Sequence, residues 1–507
     1  MPVAPARSVA YRVLRRVESG RALAVDLLQS EEVSQLREVD RALVTELVMG
    51  VLRWGGELDF QIERLSGKRL AYFDPEIITI LRLGLYQIRF LERIPKSAAV
   101  NEAVELVKAA RKRSAAGIVN AVLRKCERGP GRPTGPTGMG GKPRGQAAVE
   151  PESGDSGSPV VLTLNSFSAR DDFCLFATRH SSLATSSNLV AARGRAMEGL
   201  VESACRATPR WLLERWTQNY GPEAAKSLAL ASVSVPRTTV RVAASQAGIE
   251  SLRGELAQEG ISTNATQVAR GALVVESGHV QGSRAWREGR VVIQDEASQL
   301  VATLLRVEPG QRVLDLTAAP GIKTGQLAGM LGRGVLVASD VSARRLADLN
   351  RLLPSHVPPE VKFSVVRLDA TQPLPFSTRF DRVLLDAPCS GTGTLARHPE
   401  IKWRLRPEDL TRLAKNQARM LRHALEVLAP GGRLVYATCS LEPEENEQIV
   451  ESVSQAMEGI RALSRDELAR EIPSVAGLID PRGYFRSRPD LHAMDGFFAA
   501  VLIRRPS

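Results

Sequence analysis

Apolar residues recur at helical spacing through the first quarter of the chain. Val9 and Val13 begin one such series, and residues 76–91 and 97–110 repeat the same spacing. No strand-like alternation of apolar and polar residues interrupts these series. The pattern therefore predicts an all-helical domain over residues 1–127.

The composition changes abruptly over residues 128–207. Of the 32 residues from 129 to 160, fifteen are Gly or Pro and none is aromatic. Such a segment cannot bury enough apolar surface to offset the entropy of ordering the chain. Residues 161–207 are rich in Ser and Ala, with weak periodicity. We therefore predict a linker over residues 128–207 that is largely disordered.

Regular patterns return over residues 208–290. PRWLLERWTQNYG is typical of an amphipathic helix closed by Gly221, RTTVRVA of a strand, IESLRGELAQEG of a helix and GALVVESG of a strand. This alternation predicts a small α/β module.

Residues 291–507 alternate short β-rich apolar runs with helical segments. Runs of apolar residues bounded by loops predict strands buried on both faces, and helices between them predict a parallel, doubly wound α/β sheet. The predicted strands are RVLDL (312–316), GVLVASD (334–340), FSVVRLD (363–369), FDRVLLD (380–386), GRLVYAT (432–438) and a last run, GFFAAVLIRR (496–505).

Charge and composition narrow the class of protein. The net charge of +12 favours a polyanionic partner such as nucleic acid. The alternative is a basic surface that binds no such partner. We find no transmembrane run and no secretion signal, and expect a cytoplasmic protein. The five cysteines form no CxxC and the six histidines no HxxxH, so we expect neither a disulfide framework nor a metal site.

The first predicted strand leads into the loop DLTAAPGIKT, residues 315–324. Neither a Walker loop nor a GxGxxG fingerprint is present, so a phosphate chain is not the expected ligand. Asp315, Asp340 and Asp369 end or follow three successive strands, where carboxylates commonly accept hydrogen bonds from ribose hydroxyls. Loop aspartates are also common as turn residues. Three carboxylates at the ends of successive strands suit a nucleoside ligand without a phosphate chain, such as S-adenosylmethionine.

Two cysteines follow strands of the same predicted sheet. Cys389 follows the fourth strand in DAPCSGTG, and Cys439 follows the fifth in ATCS. Parallel strands end on one edge and neighbours are about 4.8 Å apart, so we expect both thiols in one pocket. A free cysteine is more often a small buried hydrophobe, which is our interpretation of Cys126, Cys174 and Cys205.

A thiol pair beside a methyl donor suits methylation of a pyrimidine at carbon 5. A thiolate that adds to carbon 6 makes carbon 5 nucleophilic enough to take the methyl group, and a second thiol can help to release the enzyme. Asp386 is the candidate acid at N3 of the base and has to be protonated for that role. Carbon 6 is not reachable in a stacked helix, so we expect a single-stranded or flipped-out base.

These motifs resemble those of the RNA (cytosine-5) methyltransferases of the Sun type. The resemblance runs from about Pro209 to the end, through DLTAAPGIKT, DAPCSGTGTLARHPEIKW, ATCSLEPEENE and DGFFAAVL. IPKSAAVNEAVELVKAARK and GIVNAVLRK are similar to the NusB-type RNA-binding fold. Together they resemble the Sun-type 16S rRNA (cytosine-5) methyltransferase B family. The resemblance implies a NusB-like RNA-binding domain over 1–127, a small RNA-binding α/β module over 208–290 and a Rossmann-like methyltransferase domain over 291–507.

The resemblance implies roles for individual residues. Cys439 is expected to be the nucleophile, Cys389 to assist product release, and Asp386 to lie near both cofactor and base. Thr317 stands where the family usually has cysteine, and Ile322 where it usually has a second glycine. The block RHPEIKW matches the family without an assigned role. Binding of S-adenosylmethionine is expected at Thr317, Ala318, Ala319, Pro320, Gly321, Ile322, Lys323, Asp340, Asp369 and Asp386.

The expected activity is methylation of a cytosine in 16S rRNA by a monomer, without a metal. Alternatives are an RNA-binding ribosome-assembly factor with an inactive methyltransferase domain, and a cytosine-5 methyltransferase of another RNA. A further alternative is a DNA cytosine methyltransferase. In that class a Pro-Cys dipeptide carries the nucleophile, which would be Cys389 of Pro388–Cys389 in this chain. A small-molecule methyltransferase leaves the basic N-terminal domain unexplained.

Overall fold

The computed structural model describes residues 3–20, 22–127, 186–242, 246–353 and 357–506. Within these ranges, no helix has the length and apolar character needed to cross a membrane. The linker predicted over 128–207 lies mostly outside the described residues, as does Cys174.

The N-terminal region is an all-helical bundle, as the apolar spacing predicts. The buried faces include Val9 and Val13 of the first helix and Leu47 and Leu58 of the fourth, all of which belong to one core. The helices are α1 (Pro5–Glu18), α2 (Ala24–Leu28), α3 (Glu31–Ser34), α4 (Glu38–Ser66), α5 (Pro75–Phe90), α6 (Lys96–Ala109) and α7 (Ala116–Lys125).

A further helix, α8 (Ser186–Arg206), occupies the last part of the predicted linker. The linker prediction is therefore wrong for residues 186–206. The end of α8 docks on α4, where Arg206 Nε donates to the fully buried Glu57 Oε2 at 2.6 Å and Ala204 is buried in the helical core. This tertiary contact, rather than a strong amphipathic pattern, accounts for the helix.

The small α/β module consists of two helices, a four-stranded antiparallel sheet and its covering helices. The sheet order is β2-β3-β1-β4. The predicted boundary at 290 is too early, because β4 pairs with β1 through Val291 and Ile293. The elements are α9 (Arg210–Tyr220), α10 (Pro222–Val233), β1 (Thr238–Val242), α11 (Gln246–Gln258), β2 (Ser262–Ala265), β3 (Ala272–Ser277), α12 (Arg284–Arg287) and β4 (Val291–Ile293).

The C-terminal domain contains an eight-stranded sheet of order β10-β12-β9-β8-β5-β6-β7, with β11 paired to β12. Its strands are β5 (Arg312–Asp315), β6 (Gly334–Asp340), β7 (Val361–Arg367), β8 (Phe380–Asp386), β9 (Leu428–Thr438), β10 (Ile460–Ala462), β11 (Phe485–Ser487) and β12 (Phe497–Arg504). Its helices are α13 (Glu296–Leu304), α14 (Ile322–Leu331), α15 (Ala343–Leu352), α16 (Ile401–Arg404), α17 (Pro407–Glu426), α18 (Glu447–Gln455), α19 (Arg465–Glu471) and α20 (Pro489–His492).

Helices cover both faces of this sheet, as predicted. Val313 of β5 belongs to the apolar cluster formed with α13 and α14, whereas the next residue, Leu314, belongs to the cluster formed with α17 and α18. Alternate residues of a strand point to opposite faces, so the sheet has two cores. Strands β5 to β9 are parallel.

The prediction of an all-parallel sheet is wrong at its edge. Strand β12 pairs antiparallel with β9, and the short strands β10 and β11 pair antiparallel with β12. The predicted third strand also ends early, because β7 stops at Arg367 and leaves Asp369 in the following loop. The central strand β5 lies between β6 and β8, so the loops after β5 and β8 meet where the strand order reverses.

Candidate active site

The two motif cysteines meet at the carboxyl edge of the sheet. Strands β8 and β9 are parallel neighbours, with Asp386 opposite Ala437, so the residues that follow them emerge side by side. The Sγ atoms of Cys389 and Cys439 are 3.3 Å apart, and both residues are partly exposed. The structure therefore brings together the pair that the strand pattern predicts in one pocket.

The loop that carries Cys389 is fixed by backbone contacts on two sides. The amide of Gly393 donates to the carbonyl of Cys439 at 2.9 Å, and the amide of Gly496 donates to the carbonyl of Gly393 at 2.8 Å. A Cβ at Gly393 would lie 2.1 Å from the carbonyl oxygen of Gly496, which leaves no room for a side chain. The DGFF motif thus supports the Cys389 loop directly.

The other described cysteines lie away from this pocket. Cys126 is buried in the helical domain and Cys205 is half-buried near the end of α8. Burial raises the pKa of both thiols. This agrees with their interpretation as small packing residues.

Lys323, in the first turn of α14, forms an ion pair with Asp386 at the end of β8. Its Nζ lies 2.7 Å from Asp386 Oδ2. Burial acts to lower the pKa of Lys323, but the carboxylates of Asp386 and Asp315 and the nearby Cys439 outweigh it, and the pKa is raised. Lys323 Nζ is therefore a positively charged hydrogen-bond donor beside the Asp386 carboxylate, at the same edge of the sheet as the two cysteines.

Asp315 lies beneath the loop and does not line its surface. The residue is buried, and Thr324 Oγ1 donates to its Oδ2 at 2.7 Å. Burial raises the pKa of Asp315 to about 7, although the hydrogen bond from Thr324 acts in the opposite direction. Its hydrogen bond ties the end of β5 to the start of α14.

The loop Thr317 to Lys323 turns sharply between β5 and α14. Gly321 takes a left-handed φ of 105°, which L side chains rarely adopt, and its amide donates to the carbonyl of Ala318 at 2.7 Å. Ile322 is already helical, with its side chain exposed. Ile322, which stands where the family usually has a second glycine, is therefore not the residue with the left-handed backbone.

The rest of the loop is also anchored. Thr317 Oγ1 donates to the carbonyl of Asp386 at 2.9 Å, and the amide of Ala318 donates to the carbonyl of Ser339 at 2.8 Å. Ala319 is half-buried and Pro320 is exposed. These contacts hold the loop across the ends of β6 and β8.

The two remaining predicted carboxylates differ in their surroundings. Asp340, at the end of β6, is buried and accepts hydrogen bonds from the Ser342 amide and Arg345 Nη2, both at 2.8 Å. Asp369 is exposed and accepts from the amide and hydroxyl of Thr371 at 2.9 and 2.8 Å. Asp369 therefore caps its own turn, which is the ordinary role of a loop aspartate.

The block RHPEIKW, which had no predicted role, connects three parts of the molecule. Arg397 donates to Asp295 Oδ2 and Asp495 Oδ2, both at 2.8 Å, and to the carbonyl of Arg237 at 2.9 Å. Burial raises the pKa of Asp495 to about 7, with a further contribution from the nearby Asp295. Arg397 therefore links the α/β module to the DGFF segment.

The end of the same block contacts the helical domain. Lys402 Nζ donates to the carbonyls of Arg53 at 2.7 Å and Ala207 at 3.1 Å, and Trp403 Nε1 donates to the carbonyl of Leu52 at 2.8 Å. Lys402 is buried, and burial lowers its pKa to about 7. The segment after the Cys389 loop thus holds the helical domain against the catalytic domain.

Sequence reasoning also missed a buried carboxylate beneath the cysteines. Glu445 lies in the motif ATCSLEPEENE. Its two carboxylate oxygens accept hydrogen bonds from Ser390 and Ser440, the residues that follow Cys389 and Cys439. The motif contains several similar glutamates, and nothing in their spacing singles out this one. Among the described residues, no group of three or more His, Cys, Asp or Glu side chains is arranged to hold a metal ion.

Three family sequence models match the chain, and together they cover its described domains. Residues 302–503 match the family described as 16S rRNA methyltransferase RsmB/F, and residues 4–128 match the NusB family. Residues 208–281 match the ferredoxin-like domain of RsmF/B-like methyltransferases. The matched ranges agree with the helical bundle, the small α/β module and the C-terminal sheet.

Two solved structures are similar over large parts of the chain. The crystal structure of PH0851 covers 99% of both chains with a TM-score of 0.68 at 21% identity, which shows a shared fold. A methyltransferase homologue from Pyrococcus horikoshii covers 60% of this chain and 99% of its own, with a TM-score of 0.50 at 28% identity.

Curated relatives match over nearly their whole length. The ribosomal RNA small subunit methyltransferase B of Pseudomonas putida is 32% identical over 98% of both chains. That of Vibrio cholerae is 31% identical over 99% of this chain and 97% of its own, and a probable one of Bacillus subtilis is 28% identical over 98% of both. The chain belongs to the ribosomal RNA small subunit methyltransferase B family.

Proposed function

We propose that this protein methylates carbon 5 of a cytosine in small-subunit rRNA, through a covalent bond between Cys439 Sγ and carbon 6 of the base. The observation that carries the proposal is the 3.3 Å separation of the Cys389 and Cys439 sulfurs beside the Lys323–Asp386 ion pair. Addition of a thiolate to carbon 6 activates carbon 5, which is otherwise a poor nucleophile.

The surroundings of the two thiols favour Cys439 as the nucleophile. The hydrogen bond with Cys439, burial, and the nearby carboxylates of Glu445 and Asp386 together raise the pKa of Cys389 well above its usual range. Cys389 is therefore held as a thiol. Lys323, whose ammonium is close to Cys439, supplies the positive charge that a thiolate there requires.

Lys323 also serves as the hydrogen-bond donor to the target base. When the Cys439 sulfur adds to carbon 6, negative charge develops on the pyrimidine ring, and a nearby ammonium stabilises it. The Asp386 carboxylate, 2.7 Å from Lys323 Nζ, orients that ammonium. In this proposal Asp386 acts through Lys323, whereas the sequence analysis expects Asp386 to serve as the acid at N3 itself.

The residues at the ends of β5 and β6 fit the cofactor that the methyltransferase fold and family imply. Asp340 offers a carboxylate for ribose hydroxyls. The apolar side chains of Ile322, at the start of α14, and Val341, directly after β6, are exposed. When bound there, S-adenosylmethionine supplies an electrophilic methyl group for carbon 5. Asp369, bound to its own turn, is the weakest member of the predicted set.

Release of the product reverses the addition. The proton on carbon 5 passes to water, the electrons of that C–H bond restore the ring double bond, and the Cys439 Sγ–carbon 6 bond breaks. Cys389, 3.3 Å away, returns a proton to the departing sulfur. Loss of Cys389 therefore leaves the enzyme attached to its RNA.

Covalent trapping tests these roles. With an RNA that carries 5-fluorocytosine, the fluorine cannot leave as a cation, so the wild-type protein should form a stable adduct. Cys439→Ala should form none, whereas Cys389→Ala should accumulate a covalent complex on unmodified RNA. The opposite behaviour of the two variants would assign the nucleophile to Cys389.

The substrate is tested separately. Small-subunit rRNA from cells that lack this protein should lose 5-methylcytosine at one position, and the purified protein should restore it. Because the ring must be accessible to Cys439, a cytosine in a fully paired RNA should react much more slowly than an unpaired one. Equal rates on both RNAs would contradict the proposed geometry.

A further inference from the structure

Each motif cysteine is followed by a serine, and both serines reach the same buried carboxylate. Ser390 Oγ and Ser440 Oγ lie 2.5 and 2.6 Å from Glu445 Oε2, and 3.0 Å from each other. Cys389–Ser390 follows β8 and Cys439–Ser440 follows β9. The two loops are therefore joined one residue beyond the sulfurs.

The second oxygen of Glu445 extends this connection to a helix. Glu445 Oε1 accepts from the amide of Ser390 at 2.9 Å and from Gln417 Nε2, in α17, at 3.0 Å. Gln417 Nε2 also donates to the carbonyl of Pro388 at 2.9 Å. Cys389 is consequently held on both sides, through Pro388 before it and Ser390 after it.

We propose that Glu445 is a positioning residue that sets the separation of the Cys389 and Cys439 sulfurs. The inference rests on the proposed function for its chemical meaning, because only a reaction that uses both thiols requires a fixed distance between them. It does not require Glu445 to touch the RNA or the cofactor, since the residue is fully buried.

The character of the contacts supports a positioning role. All four donors to Glu445 are neutral, and among the described residues Glu445 forms no ion pair. A buried carboxylate without a cation is costly unless its acceptor sites are filled, so each donor is held firmly. A neutral residue of the same shape would leave at least one of the four donors without an acceptor.

The charge of Glu445 has a second effect on the same pair. Together with the Cys439 hydrogen bond and burial, it raises the pKa of Cys389 and so opposes formation of a thiolate there. Glu445 thus helps to set the distance between the two thiols and also keeps Cys389 protonated.

Glu445→Gln is the primary test, with Glu57→Gln as the matched control. Glu57 is equally buried but pairs with Arg206 in the helical domain, far from the cysteine loops in sequence. A misplacement of reacting groups by about 1 Å costs roughly 100-fold in rate. We expect Glu445→Gln to slow adduct formation on 5-fluorocytosine RNA by about that factor, with the KM for S-adenosylmethionine changed less than about threefold. Glu57→Gln should change the unfolding temperature without changing the adduct rate.

A second measurement needs neither RNA nor cofactor. Iodoacetamide labelling of the folded protein, followed by peptide mass spectrometry, reports the reactivity of Cys389 and Cys439 separately. In Glu445→Gln, Cys389 should be alkylated faster at pH 8, by about threefold or more, because less negative charge opposes its thiolate. This result stands even if the RNA product is not 5-methylcytosine, so the inference and the proposed function can fail independently.

Ser440→Ala keeps the inference testable if Glu445→Gln does not fold. This change removes one donor and leaves the Glu445 charge in place, so it should slow adduct formation without accelerating Cys389 alkylation. Wild-type adduct rates and unchanged alkylation in folded Glu445→Gln would overturn the inference. An equal loss of adduct rate in Glu57→Gln would overturn it as well, because the effect would then be one of general stability.

Discussion

Two buried charges follow the two cysteines, and they are stabilised in opposite ways. Glu445, six residues after Cys439, is an anion surrounded by hydroxyl and amide donors. Lys402, thirteen residues after Cys389, is a cation below about pH 7 and donates to two backbone carbonyls. Among the described residues neither has an oppositely charged partner, so each depends on neutral dipoles that must be correctly placed.

The difference lies in what each charge joins. Glu445 connects two loops and a helix within the catalytic domain, and its partners are adjacent to the reacting sulfurs. Lys402 connects the catalytic domain to α4 and to the residue after α8, through carbonyls of Arg53 and Ala207. A substitution of Glu445 should therefore mainly slow the reaction of the cysteines, whereas a substitution of Lys402 should mainly weaken the docking of the helical domain.

The largest effect is expected for Glu445→Ala. Four donors lose their acceptor, and each buried donor left unpaired costs about 1 kcal/mol or more, so the free energy of unfolding should fall by about 4 kcal/mol. Urea denaturation measures this loss. Glu444→Ala is the control, since that neighbouring side chain is 36% exposed and pairs with Arg215, and its loss should cost about 1 kcal/mol or less.

A smaller loss, of about 2 kcal/mol, is expected for Lys402→Ala, because the truncated side chain leaves a cavity and two carbonyls without their donor. Limited proteolysis should then release the helical domain more readily, while adduct formation on 5-fluorocytosine RNA stays within about threefold of wild type. If Lys402→Ala slows adduct formation as severely as Glu445→Ala does, the contrast between the two charges is wrong.

The protonation of Lys402 makes the stability of the protein depend on pH. Its pKa is lowered from 10.5 to about 7 in the folded protein. Between about pH 7 and 10.5 the unfolded chain binds more protons at this site, so its contribution to the free energy of unfolding rises with pH, by at most about 1.4 kcal/mol per unit. Below about pH 7 both states hold the proton and the contribution is constant. Wild type should gain stability relative to Lys402→Met between pH 7 and 9 in urea denaturation, and parallel pH profiles would contradict this.

The smallest effect is expected for Trp403→Phe. The change removes one hydrogen bond, from Nε1 to the carbonyl of Leu52 at 2.8 Å, and keeps most of the aromatic surface. A loss of about 1 kcal/mol in the free energy of unfolding is expected. A loss as large as that of Lys402→Ala would show that the ring, not the ammonium, dominates the docking of the helical domain.

The parts of the site that the sequence predicted are those that follow strands. Cys389 and Cys439 are rare residues placed directly after two strongly apolar runs, so parallel pairing alone brings them together. The position of Asp340 was predicted in the same way, and β6 does end at this residue. Asp369 was misplaced because β7 ends two residues earlier than its apolar run suggests.

The parts that the sequence did not predict depend on distant partners. Glu442, Glu444, Glu445 and Glu447 are alike in the motif, yet Glu442 and Glu444 pair with Arg215 and Glu447 with Arg486, whereas Glu445 faces the serines. Lys402 binds backbone carbonyls, which any residue can provide, so no pattern of side chains marks its partners. Helix α8 was missed for a similar reason, since its docking on α4 has no local signal.

The contact between Gly393 and Gly496 constrains how this pocket can be altered. Main chain rests on main chain there, with 2.1 Å between the position of a Cβ on Gly393 and the carbonyl oxygen of Gly496. Because this contact contains no side chains, exchanging one amino acid for another cannot adjust the position of the Cys389 loop. Selectivity for a different nucleotide would therefore have to be engineered in the side chains around the opening of the pocket.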